Sequence, residues 1–324
     1  MKKNLLSLLI LLGSLQTASA KAYIIAPPNY WEDSSKVDST LNTNQAVFTF
    51  QIMNVPDLKN KVIRYSIDGV EKAGKFTGGN TFETYTTPGR HIFQFYADRV
   101  HEEVYTDSIL IGSQQHIYMS VFFNAVYNDM QVRPAKPVIY LYPMEETDVT
   151  VSLDIKGTDA FLYPAYEDEW SFTAYPNGDL VFGEKTYNYL FWESTQIIQE
   201  NPIDEMTGFV VEKNNVVAFL EKTLDKAGLS SKEQADFITY WAPQLVANDL
   251  NYIHFIFNDA CDQFAELSIS PEPDAIYRIY MLWSPLDKPI YVKEQKIETL
   301  STDGFTVLEW GGMELPPRTI NETL

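Results

Sequence analysis

Residues 136–143 read KPVIYLYP, and five apolar or aromatic side chains, Val138 to Tyr142, lie between two prolines. Successive side chains of a strand point to opposite faces, and here both faces are apolar. A strand of that kind has to be buried on both sides, so the chain needs a layer of structure above and below this segment. Pro143 ends the run. In front of it RPAKP, residues 133–137, disfavours helix and holds the residue before each proline extended. That pentapeptide reads as a short stiff hinge, with Val138–Tyr142 as the first strand of a second domain. About 300 residues beyond the N-terminal leader fit two domains by size, placed at 21–133 and 134–324.

Residues 22–133 carry period-two alternation with no helical periodicity. AVFTFQI (46–52), KVIRYSI (61–67), TFETYTT, HIFQFYA, EEVYTDSILI and HIYMSVFFNAVY are separated by Asp68-Gly69, Gly78-Gly79-Asn80 and Pro88-Gly89. Short strands with regular turn signals predict an all-β sandwich, Ig-like or related. Within it, YSIDGVEKAGKFTGGNTFETYTTPGRHIFQFYA resembles small bacterial surface modules, in which an IDG hairpin is followed by TPG and a histidine.

Beyond the hinge the period changes twice. DVTVSLDI (148–155) alternates cleanly, and EWSFTAYPNGDLVF forms a hairpin with Pro176-Asn177-Gly178 at its turn. In NNVVAFLEKTLDKAG, Val216, Val217, Leu220 and Leu224 fall at helical spacing, and Gly228 sits at the C-cap position. SSKEQADFITYWAPQLVAN opens with the capping box Ser230-x-x-Glu233 and is kinked or shortened by Pro243. YIHFIFN, AELSISP, AIYRIYMLW, IYVKEQKI and GFTVLEW return to strand. The expectation is an α+β domain with a mostly antiparallel sheet and one helical pair.

The first twenty residues, MKKNLLSLLILLGSLQTASA, have the basic start, short apolar run and small-residue cleavage site of a secretory signal peptide. No later segment has the roughly 20 apolar residues that a membrane-spanning helix needs. The expected location is the periplasm, the cell surface or the medium. Removing residues 1–20 leaves 22 basic and 44 acidic side chains, a formal charge of −22. Such a chain repels nucleic acid. No D-x-[DN]-x-[DN]-G calcium loop occurs. Cys261 is the single cysteine, so no intrachain disulfide can form, and His91, His101, His116 and His254 lack zinc-ligand spacing. No metal or cofactor is expected.

KPVIYLYP, WSFTAYPNG, YNYLFWES, ISPEPD with RIYMLW, and GFTVLEWGG together resemble a family of exported bacterial proteins of unassigned activity, over residues 136–312. The resemblance implies an envelope or extracellular domain and supplies no catalytic residues. The chemistry has to be sought in the residues themselves. Trp192-Glu193 and Glu309-Trp310 each place a carboxylate beside an indole, the combination that glycan sites use. A glycosidase needs two carboxylates roughly 5–9.5 Å apart, so Glu193 and Glu309 are the catalytic candidates and Trp192 and Trp310 the platforms. Each pair also reads as a strand end with its tryptophan in the core. Asp274 and Arg278 are the second binding candidates, since a cation in the apolar run AIYRIYML needs a partner, either Asp274 or Glu309. His254 and Cys261 form a third set, in which the thiol reads as buried and inert. The expected function is binding of a glycan or an envelope protein, with a glycan-acting hydrolase as the alternative.

Overall fold

A computed structural model describes residues 29–55, 62–99, 101–125, 130–132, 135–198, 203–301 and 303–315. Residues 1–28, with the expected signal peptide, and Arg133 and Pro134 lie outside these. Among the described residues the chain is β-rich, with one pair of α-helices.

In the first half, two four-stranded sheets share a single apolar core. One runs in the order Tyr30–Val37, Gln115–Phe122, Ala46–Met53 and Thr81–Thr86, the other Val70–Lys75, Val62–Ile67, Phe93–Tyr96 and Val104–Tyr105. Alternation decides which residues meet between them. Phe48 and Phe50 from one sheet meet Phe93 from the other edge to face, at centroid distances of 4.7 and 5.0 Å. The Asp68-Gly69 signal is a tight hairpin joining Ile67 to Val70, with both turn residues at positive φ (52° and 81°).

The second half has three layers. A nine-stranded sheet takes most of its strands from the alternating segments. Ala135–Tyr142 lies in its interior, flanked by Leu190–Ile198 and Thr306–Glu314. Val138 and Tyr140 face one core and Ile139 and Leu141 the other, all four 0% exposed. The double burial read from KPVIYLYP is therefore met by two different layers. On one face lie α1 (Val216–Ala227) and α2 (Ser231–Leu245). On the other lies a five-stranded sheet containing Thr147–Ile155, Trp170–Ala174 and Ala265–Ser270, which the sequence did not separate from the first. Most of the large sheet's pairings are antiparallel, and Ala275–Pro285 runs parallel to Thr306–Glu314. The helix ends form as their sequence dictates. Ser230 and Glu233 close the capping box, Gly228 takes the left-handed C-cap at φ 88°, and α2 stops two residues after Pro243.

The hinge expected at RPAKP is corrected in part. Ala135, Lys136 and Pro137 belong to that interior strand, where a bulge shifts the register between Ala135 and Val138. The bulge is what lets a central strand hold a proline, which has no amide proton for the ladder. Met130–Val132, assigned by the sequence to the first half, pairs with residues 196–198 of the second.

Buried charge joins the two halves. Arg99 of the first half pairs with Glu205 of the second at 3.1 Å, with both side chains at most 4% exposed. Arg64 donates to the carbonyls of Glu205 (2.6 Å) and Tyr291 (3.1 Å), Arg99 to the Ser284 hydroxyl (2.9 Å), and Tyr96 to the Glu205 carboxylate.

Candidate functional site

The central sheet separates the residues that the sequence grouped. Neighbours along a strand face opposite ways, so Trp192 and Glu193 cannot share a surface, nor can Glu309 and Trp310. Trp192 packs into the core beneath the five-stranded sheet, and the Glu309 carboxylate reaches it there. Trp310 packs beneath the helices, the side on which Glu193 also lies. A single cleft lined by all four is not formed, and both indoles are 0% exposed.

Glu309, 0% exposed, is the hub of a polar cluster inside the core. One carboxylate oxygen accepts from Trp192 Nε1 (2.8 Å) and from the Tyr280 hydroxyl (2.9 Å), and the other from Arg278 Nε. Arg278 goes on to Asp262 (2.6 Å) and to the carbonyl of Ala265 (3.0 Å). Burial pushes the Tyr280 phenol far above its ordinary value, and the Glu309 charge pushes it further, so the hydroxyl stays a donor. A buried charge persists when it is paired and hydrogen-bonded, and this one is both. With its oxygens engaged and no surface open to solvent, Glu309 is placed to hold the core and not to protonate a leaving group.

Asp274 does not join Arg278. It accepts from the backbone amide of Phe305 at 2.6 Å. Cys261 is buried in the same core as Trp192, and burial drives its thiol well above the usual range. His254 contacts Thr207 O (3.1 Å) and the Gln295 amide (3.3 Å), while the thiol's neighbour is Ile256 O (3.9 Å), so the two make different contacts. Among the described residues no group of three or more His, Cys, Asp and Glu is arranged to hold a metal ion.

Glu193 leads to a different place. On Leu190–Ile198, Phe191 and Glu193 face the helix side together with Tyr189 just before the strand. Directly opposite across the ladder, Phe161 pairs with Glu193 and Tyr163 with Phe191. These five residues, with Lys136 and Tyr240 of α2, line a cleft of about 350 Å³. Phe161 and Tyr163 are 55% and 52% exposed, unusual for large rings on the same face of one strand. The Phe161 and Phe191 rings lie 6.0 Å apart and tilted by 62°.

Lys136 enters this cleft from the bulge. Its backbone is left-handed, φ 52°, a conformation that a long side chain adopts only where the surroundings impose it. The ammonium lies 5.1 Å from the Tyr240 ring centroid and 5.4 Å from that of Trp310, within cation–π range. Burial lowers its pKa, while the charge of Asp236, which accepts from the Tyr140 hydroxyl at 2.9 Å, works to raise it. Gly311 lets the two strands pack closely beside the bulge, since a Cβ there would lie 3.1 Å from Pro137 Cα.

Three of the sequence blocks thus meet at one point: KPVIYLYP through Lys136, YNYLFWES through Tyr189, Phe191 and Glu193, and GFTVLEWGG through the Trp310 ring beneath the Lys136 ammonium. Sequence reasoning singled out Glu193 and Trp310 and missed the other residues. A signal for Tyr189 and Phe191 was present, because they alternate with Leu190 and Trp192. Tyr240, Phe161 and Tyr163 come from distant segments, and nothing local marks them.

A protein of Butyrivibrio fibrisolvens, described as an uncharacterized protein in the bglA 3' region, is 48% identical over 61 residues. The match covers 18% of this chain and 64% of that protein, under two-thirds of its length. No family model and no solved structure matches the chain.

Proposed function

We propose that this is an exported binding protein, periplasmic or extracellular, whose ligand site is the aromatic cleft around Lys136 and Glu193. The first half serves as an Ig-like interaction or spacer module. The observation that carries the reading is the cleft itself: two half-exposed rings, a bulge that aims a lysine among aromatics, and a carboxylate opposite. Small-molecule sites combine mostly apolar walls with a few placed polar groups, and this cleft has that composition. Binding is preferred to hydrolysis because the described lining holds one carboxylate, and glycoside hydrolysis ordinarily takes two. The leader sequence and a charge of −22 after its removal support export and argue against a nucleic-acid partner.

The test is thermal unfolding of the chain from Lys21 onward against a mixed library of oligosaccharides, peptides and metabolites. A cleft ligand at about 100 times its Kd stabilises by roughly 2.7 kcal/mol, so it raises Tm in the parent protein and not in Tyr163→Ala. If no compound raises Tm, or if every shift survives Tyr163→Ala, the cleft is not the site.

A further inference from the structure

The cleft's chemistry selects among ligand classes, and we propose that its ligand is a neutral carbohydrate. Its sugar ring would stack on Tyr163 and Phe161, and its hydroxyls would bridge Lys136 Nζ and the Glu193 carboxylate. This deepens the binding reading above and rests on it.

Three features of the cleft converge. The first is ring presentation. Phe161 and Tyr163 stand on one strand face, more than half exposed, with Phe191 directly opposite Tyr163. Exposed rings offer π faces to an apolar C–H surface, and a sugar ring has such a surface on its face and hydroxyls around its rim.

The second is the pairing of a pure donor with a pure acceptor. An ammonium carries three N–H donors and no acceptor, and an ionised carboxylate has about four acceptor positions and no donor. A hydroxyl is both, so a polyol satisfies both ends at once. Glu193 has enough acceptor positions to take a ligand hydroxyl beside a contact it already makes. A proline-rich peptide, the other frequent occupant of aromatic clefts, brings carbonyls and few N–H groups, and so would leave the carboxylate facing acceptors.

The third is charge. Among the described lining residues Lys136 is the one cation and Glu193 the one carboxylate, and Asp236 acts on Lys136 from α2. The chain as a whole carries −20. An anionic sugar would approach against that field, and a cationic ligand would have to displace or sit beside Lys136. A neutral ligand meets neither obstacle. The volume of about 350 Å³ lies at the small end of the range for small-molecule sites, which fits one or two sugar rings.

The experiment is isothermal titration of the chain from Lys21 onward with four neutral disaccharides (cellobiose, xylobiose, maltose, lactose), digalacturonic acid and decaproline. Tyr163→Ala, Glu193→Gln and Lys136→Met are run alongside, each first shown by circular dichroism to keep its fold. The expected result is saturable binding of at least one neutral disaccharide, weakened about tenfold or more by Tyr163→Ala and several-fold by each polar variant. Lys136→Met keeps the apolar stem, so a loss there reports the ammonium and not packing. Decaproline or digalacturonate binding in a Tyr163-dependent way, with every neutral disaccharide silent, would overturn the carbohydrate assignment and leave the cleft as a binding site. Silence of all six probes would overturn both.

Discussion

Arg278→Met is the sharpest test of the buried cluster. The substitution keeps an unbranched stem of similar reach and deletes the guanidinium. Glu309, with no exposed surface, would keep Trp192 and Tyr280 as donors and lose its charge partner, while Asp262, 49% exposed in its side chain, can turn to water. Breaking a buried ion pair by removing one partner costs about 3–5 kcal/mol, because an uncompensated charge stays behind. At roughly 2–4 °C per kcal/mol for a domain of this size, Tm should fall by roughly 6–20 °C, read by circular dichroism or calorimetry. Replacing both members, Arg278→Met with Glu309→Leu, removes the stranded charge and should recover part of that loss. Recovery should stay incomplete, since Trp192 Nε1 and the Tyr280 hydroxyl lose their acceptor, at about 1–3 kcal/mol for each buried group left unsatisfied. A single variant that melts within 3 °C of the parent would refute the reasoning.

Glu205→Gln removes the carboxylate charge that pairs with Arg99 between the halves, so calorimetry should show a lower Tm and a split into two transitions; one unchanged transition would mean that the clamp contributes nothing. The Cys261 thiol should not react with Ellman's reagent in the folded protein and should react fully in denaturant, and prompt labelling without denaturant would contradict its burial. His116, which contacts the Thr49 hydroxyl at 2.6 Å and stacks on Tyr118, has its pKa lowered by burial, with Glu83 and Asp38 opposing this and Lys36 adding to it. The unfolded chain therefore takes up the proton first, and stability present above about pH 6.5 should decline as pH falls toward 5. His116→Gln should flatten that part of the pH profile of Tm, and an unchanged profile would remove His116 as its source.

The elements were largely legible in the sequence because their causes are local. Alternation in AVFTFQI and DVTVSLDI, the capping box at Ser230 and the left-handed glycine at Gly228 act over a few residues, and each sits where the pattern put it. The central place of VIYLY followed from its composition alone, since a strand apolar on both faces has to be covered on both.

Site and layer assignment were not local. Alternation alone forbade Trp192 and Glu193 from sharing a face, but only the strand order decided which face met helices and which met a second sheet. Arg278 was readable as a cation in need of a partner. That the partner is Glu309 and not Asp274 depends on a parallel pairing that sets Arg278 opposite Glu309. The hinge reading failed at Ala135–Pro137 because a proline in a bulge and a proline in a linker look the same along the chain. The bulge exists only once Thr306–Glu314 is in place beside it, and it is the bulge that turns Lys136 into the cleft. The sequence determined which segments are strands and helices and that the core is apolar on two sides. The tertiary structure decided which charges are buried in pairs and which aromatic rings stay exposed, because both depend on side chains brought together from separate segments, Arg278 and Glu309 across 31 positions and Trp192 and Glu309 across 117.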